Sequence, residues 1–191
     1  MLQPVSLEND RLYIHPFRSE DFNRYEKMVT DIYQILSDDD TLHFIPEKRL
    51  GSMADADTWL KSTILNFHCG HNFVHFITEK VSGKLLGIID IISPQIVRAH
   101  YRLEQYPYFI EFYLSGKARG RKIMTTLLPE IIAELRQRNI RVLGAVVNKK
   151  NHAAQKVLLT AGFIYQSPFD PVQDLYQLSF SSTEKKLNKV G

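Results

Sequence analysis

The sequence predicts an α/β (α+β) protein with a mixed central β-sheet flanked by helices, and three patterns carry that prediction. Two runs rich in Val, Ile and Phe, NFVHFITE and LLGIIDIIS, flank the turn signal VSGK and read as an antiparallel hairpin. Further on, YPYFIEFYLS, a helical stripe, VLGAVV and a second helix follow in strand, helix, strand, helix order. Such a unit crosses over right-handedly and places its two strands side by side and parallel. An amphipathic helix directly after the first strand supplies the remaining layer.

In chain order, RLYIHPF at residues 11–17 alternates apolar and polar positions, as a half-buried strand does. Ser19 offers an N-cap with Glu20 and Asp21 in the first turn. Phe22, Tyr25, Met28, Val29, Ile32, Ile35 and Leu36 then recur at helical spacing. A second helix is expected over residues 55–67, where Trp59, Leu60, Ile64 and Leu65 share a face, with irregular chain between the two. Residues 106–115 form the strand YPYFIEFYLS. Ile123, Leu127, Leu128, Ile131, Ile132 and Leu135 make a helix to about Asn139, with Pro129 inside it, where an interior proline costs roughly 3 kcal/mol unless the helix kinks. After the strand VLGAVV, residues 151–161 form a helix capped by Asn151 and stopped by Gly162. LYQLSF supplies a last strand. One domain is expected over residues 1–180, with residues 181–191 as a flexible tail.

Of 191 residues, 44% are hydrophobic and 24% charged, the composition of an ordinary globular domain. No stretch approaches the roughly 18 apolar residues of a membrane-spanning helix, so no membrane partner is expected. The single cysteine, Cys69, cannot close an intramolecular disulfide, and the N-terminus has no basic segment followed by a sustained apolar run. A cytoplasmic setting fits these features. The net charge of +3 is too small to argue for nucleic acid. Its distribution says more, since residues 117–122 read KARGRK while residues 37–40 read SDDD.

The chemistry concentrates in YFIEFYLSGKARGRKIMTTLLPEII followed by VVNKKNHAAQKVLLTAGF. A strand feeds a glycine-bearing cationic loop and a helix begins immediately, which aims unpaired N–H groups and the positive end of the helix dipole at one spot. A pyrophosphate suits that spot. Arg119, Arg121 and Lys122 would add charge-assisted contacts, and Gly120 allows close backbone approach.

On these residues the chain resembles the GNAT superfamily (GCN5-related N-acetyltransferases), particularly its ribosomal-protein N-terminal acetyltransferase-like branch. LENDRLYIHPFRSEDF is similar to that branch's opening strand and helix, HFITEKVSGKLLGIIDII to its hairpin, and NKKNHAAQKVLLTAGF to its Asn-bearing helix. The resemblance covers about residues 7 to 180 and implies a GNAT-like acyl-CoA N-acyltransferase fold with acetyl-CoA as co-substrate and no metal. It also implies a bulge in the strand before the loop, which splays two parallel strands and receives the pantetheine arm at Phe112, Tyr113 and Leu114. The pyrophosphate would then meet Arg119, Gly120, Arg121, Lys122, Ile123, Met124 and Thr125, and Asn151 would meet the arm. The family's loop reads Arg/Gln-x-x-Gly-x-Gly/Ala, and here two small-residue positions fall on Lys122 and Met124. Lys122 is expected to swing outward.

Transfer to an amine needs a base, a polarised thioester carbonyl and a protonated leaving thiolate. The positions where relatives keep a proton donor fall on Leu158 and Ala154. The base is assigned to Glu111, beside the expected acetyl group, with Asp90 next in line; solvent is expected to protonate the thiolate, with Tyr113 on the strand as the alternative acid. His68, Cys69, His71 and His75 superficially offer metal ligands but straddle a turn and a strand start. The expected activity is acetyl transfer to a primary amine, a protein N-terminus or a small-molecule amine, by direct attack in a ternary complex. A CoA-binding but non-catalytic module and a polyanion- or nucleic-acid-binding protein are the other readings. The acceptor is left open, residues 38–55 and 94–107 are expected to shape its site, and a homodimer is allowed.

Overall fold

Hydrophobic runs with a two-residue period need a sheet to bury both of their faces, and this chain builds one sheet of eight strands. The computed structural model describes residues 2–180. The strands are β1 (Leu7–Glu8), β2 (Leu12–His15), β3 (Asn72–Glu79), β4 (Leu85–Ile92), β5 (Tyr108–Leu114), β6 (Val142–Asn148), β7 (Ile164–Pro168) and β8 (Gln173–Ser179). Their order across the sheet is β1-β2-β3-β4-β5-β6-β8-β7. Every neighbouring pair is antiparallel except β5 and β6, which run parallel as the strand-helix-strand order requires.

The helices are α1 (Tyr25–Leu36), α2 (Asp39–Leu42), α3 (Met53–His68), α4 (Pro94–His100), α5 (Ile123–Gln137) and α6 (His152–Thr160). One face of the sheet packs Val74, Phe76, Leu85, Ile88 and Tyr113 against Met28, Ile32 and Leu60 of α1 and α3. The other face packs Phe73, Ile77, Ile89, Ile91 and Ile110 against Leu127, Leu128 and Ile131 of α5 and Leu158 of α6. Burying each such side chain contributes about 1.5–3 kcal/mol, so these two cores hold the sheet between its helical layers.

Local differences from the sequence expectations have physical causes. Ser19 does not cap a helix. Residues Ser19–Arg24 form a 3₁₀ turn, and Arg18 N–H donates to the carboxylate of Asp21 at 2.8 Å, so α1 starts only at Tyr25. α3 begins at Met53 because Ser52 Oγ accepts the Asp55 N–H. α4 sits where only a loop was expected, its first turn capped by Ser93 with Pro94 behind it. β7 was likewise not anticipated, and it is exposed along its whole length at the sheet edge. Pro129 is accommodated within α5. The expected tail at residues 181–191 lies outside the described residues.

Candidate active site

β5 and β6 leave the sheet as neighbours and then part. Only Tyr108↔Leu143 and Phe109↔Gly144 are in register, and beyond them the two parallel strands have no ladder. At the last pair, Phe109 lies so close over Gly144 that a Cβ there would stand 2.2 Å from the ring, so only glycine lets the strands meet before they diverge. The expected bulge is absent. β5 pairs with β4 in unbroken register from Gly87↔Leu114 to Ile92↔Phe109, and the opening forms by divergence from β6 alone. Phe112, Tyr113 and Leu114 lie on the stretch that pairs with β4 but not with β6. The Phe112 and Leu114 side chains pack toward the α5 and α6 core, and Tyr113 faces α1 and α3.

Both helices that follow the parting strands begin at the same end of the opening. The first ladder bond of α5 is Thr126 N–H to Lys122 O at 3.1 Å, so the N–H groups of Ile123, Met124 and Thr125 precede it and lack helical partners. Gly120 (φ 72°) and Lys122 (φ 59°) both adopt left-handed backbone. Lys122 is exposed and points away from the core, as expected, whereas Met124 is buried beneath the helix. The loop's arginines have other partners than the expected phosphate. Arg119 Nη2 lies 2.6 Å from Asp38 Oδ2 and 3.2 Å from Thr41 Oγ1, and Arg121 Nη2 lies 3.2 Å from Glu79 Oε1. They brace the loop to the α1–α2 turn and to the end of β3. Asn151 caps α6, its Oδ1 accepting the Ala154 N–H at 3.1 Å.

On the opposite face of β5 from the α5 core, Phe109, Glu111 and Tyr113 alternate in the same direction. Glu111 Oε2 accepts from Lys48 Nζ at 3.0 Å and from the Tyr113 hydroxyl. Lys48 Nζ also stands 5.6 Å from the centroid of the Tyr113 ring. Directly across the ladder is Asp90, whose Oδ2 accepts from Asn72 Nδ2 at 2.7 Å while its buried Oδ1 has no partner among the described residues. Burial, reinforced by the negative charge of Glu111, pushes the Asp90 carboxyl up to about 7. The same two causes hold the Tyr113 phenol well above its ordinary value, so it stays protonated through the physiological range. Tyr101 closes this side, stacked on Phe109 with centroids 5.5 Å apart. Lys48 and Asn72 are the members that sequence reasoning did not name, whereas Tyr101 was among the aromatics weighed as lining an acceptor site, and both Lys48 and Tyr101 lie in the segments flagged for the acceptor.

At the positions of the missing acid, Leu158 is fully buried and Ala154 packs against the same core. His75 is a core residue, its Nε2 accepting the Val5 N–H at 3.1 Å and its Nδ1 donating to Phe73 O at 2.7 Å. Among the described residues no three or more His, Cys, Asp or Glu side chains are grouped to hold a metal. No helix among them is long and apolar enough to cross a membrane.

The sheet is thus opened between two parallel strands, with the start of α5 following the opened end of β5 and the Glu111 carboxylate on that strand. The family model of the acetyltransferase (GNAT) domain matches residues 11–164, and the chain belongs to that family of acetyltransferases. No curated protein matches the chain in sequence. Among solved structures, the fold is similar to ribosomal-protein-S5-alanine acetyltransferase from Vibrio fischeri, with a TM-score of 0.70 and 14% identity over 92% of this chain and 96% of that one. A GNAT-family acetyltransferase from Bacillus anthracis gives 0.64 and 14% over 92% and 98%. The microcin C7 self-immunity acetyltransferase MccE, solved with acetyl-CoA and AMP, gives 0.63 and 14% over 90% and 94%. At these identities the likeness is one of fold.

Proposed function

We propose that residues 1–180 form one acetyltransferase domain that carries an acetyl group from acetyl-CoA to a primary amine by direct attack in a ternary complex. The observation that carries this reading is the placement of Glu111 on β5 where that strand has parted from β6, in the same strand that leads into the loop and the N-terminus of α5. The donor fits this chain's residues. The β6-facing edge of β5 from Phe112 to Leu114, which has no ladder partner there, suits an amide-bearing arm, and the N–H groups of Ile123–Thr125 suit a pyrophosphate. Arg119 and Arg121 order that loop through Asp38 and Glu79, and Lys122 supplies the mobile cation. Bound there, the donor supplies an activated thioester. Asn151 presents the remaining amide N–H donors at the start of α6.

Glu111 takes the acceptor's proton, and Tyr113, protonated and bonded to the same oxygen, holds that carboxylate in place. Neither Leu158 nor Ala154 can give a proton, so the departing thiolate is protonated by solvent, which its low basicity permits. A primary ammonium suits this position because one already occupies it, that of Lys48. The test is release of free thiol from acetyl-CoA with a panel of primary amines, including peptides with free N-termini, amino sugars and polyamines. At least one class should support release above the donor's own hydrolysis. Folded protein that neither binds acetyl-CoA at millimolar concentration by calorimetry nor acetylates any amine would sink the reading.

A further inference from the structure

The place where an acceptor amine would meet Glu111 is held by a primary amine of the chain itself. Lys48 ends the short turn Pro46–Lys48 between α2 and α3, and its Nζ is 3.0 Å from Glu111 Oε2. Its side chain is 36% exposed and that of Glu111 24%, so the pair is mostly covered yet open to solvent. Other lysines of the described chain pair with carboxylates outside the proposed machinery: Lys61 with Asp57, Lys80 with Glu8, Lys149 with Asp174. Only Lys48 bonds the carboxylate assigned as base.

We propose that Lys48 is a self-acetylation site, its ε-amine serving as the acceptor when no external amine occupies Glu111. This inference rests on the acetyl-transfer reading of the site. In the step, the Lys48 ammonium loses one proton to solvent and the freed nitrogen, held by Glu111, attacks the thioester carbonyl carbon. A C–N bond forms, the C–S bond breaks, and CoA leaves as a thiolate that solvent protonates. The nitrogen gives its second proton to Glu111, which returns it to solvent, leaving a neutral acetyl-lysine, and nothing is oxidised or reduced. The product carries no charge to pair with Glu111, and the amine is spent after one turnover.

The groups facing Lys48 are Glu111 and the Tyr113 ring from β5, Asp90 from β4 and Tyr101 from the chain after α4. Burial works against the ammonium, but the attraction of Glu111 and, behind it, Asp90 outweighs it and holds Lys48 above the ordinary lysine range. Below that value the neutral fraction grows about tenfold per pH unit. Self-acetylation should therefore accelerate by that factor per unit between about pH 7 and 9.

The experiment incubates the whole chain with carbon-13-labelled acetyl-CoA and reads each lysine by peptide mass spectrometry. Label should enter Lys48 at a rate unchanged by tenfold dilution of the protein, rise with pH as above, and fall at least tenfold in Glu111→Gln. Lys48→Arg should abolish that label without raising it on Lys61 or Lys84. In protein without donor, the Lys48 ε-methylene resonance should titrate above free lysine and move down in Glu111→Gln, which reports the pair without any turnover. Labelling of Lys48 no faster than of the exposed Lys117 and Lys156, while an added amine is acetylated, would overturn self-acetylation and leave the transferase reading standing. No label on Lys48 together with no acetylation of any amine would overturn both.

Discussion

Glu111 is a strand carboxylate with two donors on one oxygen, a phenol that stays protonated and an ammonium, and a second carboxyl stands across the ladder. Two carboxylates so placed repel, and the structure relieves the strain by burying Asp90 so that it gives way first, its carboxyl rising to about 7. Glu111 is left as the ionised member, tethered by Tyr113. A charge-assisted hydrogen bond of that kind contributes on the order of 1.5–3 kcal/mol. Tyr113→Phe should accordingly lower kcat by about ten- to a hundredfold with little change in KM for the donor. In the wild type, kcat/KM should rise with pH and flatten. A descending limb that vanishes in Tyr113→Phe would show instead that the phenol gives its proton to the thiolate. Glu111 could be singled out in the sequence because a carboxylate amid FIEFYL is conspicuous. Lys48 could not, since only tertiary packing decides which loop residue lands on that strand face.

The loop between β5 and α5 shows the same limit one level up. KARGRK and SDDD were each legible as charge clusters, and the structure brings them together as Arg119 against Asp38 and Asp40. Read separately, the cations pointed to phosphate; folded, both arginines secure the loop, and the proposed function leaves the anion to the helix start. Such exposed pairs contribute little stability, about 0–1 kcal/mol each, so their effect is on loop geometry. Lys122 bears a second cost. Its left-handed backbone, at a position where the family resemblance implies a small residue, costs a side-chain-bearing residue roughly 1–2 kcal/mol that glycine avoids. Lys122→Gly should raise unfolding stability by about 1 kcal/mol in urea while weakening acetyl-CoA binding, most visibly at low salt. Unchanged affinity in that variant would remove Lys122 from the anion site. The Ser-Pro pair that opens α4 was a readable start signal, but the helix is too short for its periodicity to register.

Across the whole molecule the order of elements was largely legible, because a hairpin followed by a strand-helix-strand unit admits few arrangements. The insertion of β8 between β6 and β7 was not, as nothing local distinguishes an edge strand from an inner one there. Two buried groups on opposite faces of that sheet set opposing acid responses. His75 is kept neutral by burial, its value lowered to about 4, so the unfolded chain binds a proton earlier and stability falls as pH drops from about 6.5 toward 4. Asp90 is raised to about 7, so the folded chain holds the extra proton and stability falls as pH climbs from about 4 to 7. Each effect is on the order of 3 kcal/mol at full extent, and they offset. Urea unfolding of the wild type should be nearly level between about pH 4.5 and 6.5, whereas Asp90→Asn should lose stability steadily as pH falls through that window. A variant as level as the wild type would show that Asp90 is ionised in the folded chain. Under the proposed function, the opened β5 strand delivers Glu111 to an amine beside acetyl-CoA. The most direct measure of that claim is the rate of amine-dependent thiol release by Glu111→Gln against the wild type at saturating donor. The account predicts a fall in kcat of at least a hundredfold with acetyl-CoA affinity preserved, and an unchanged kcat would contradict it.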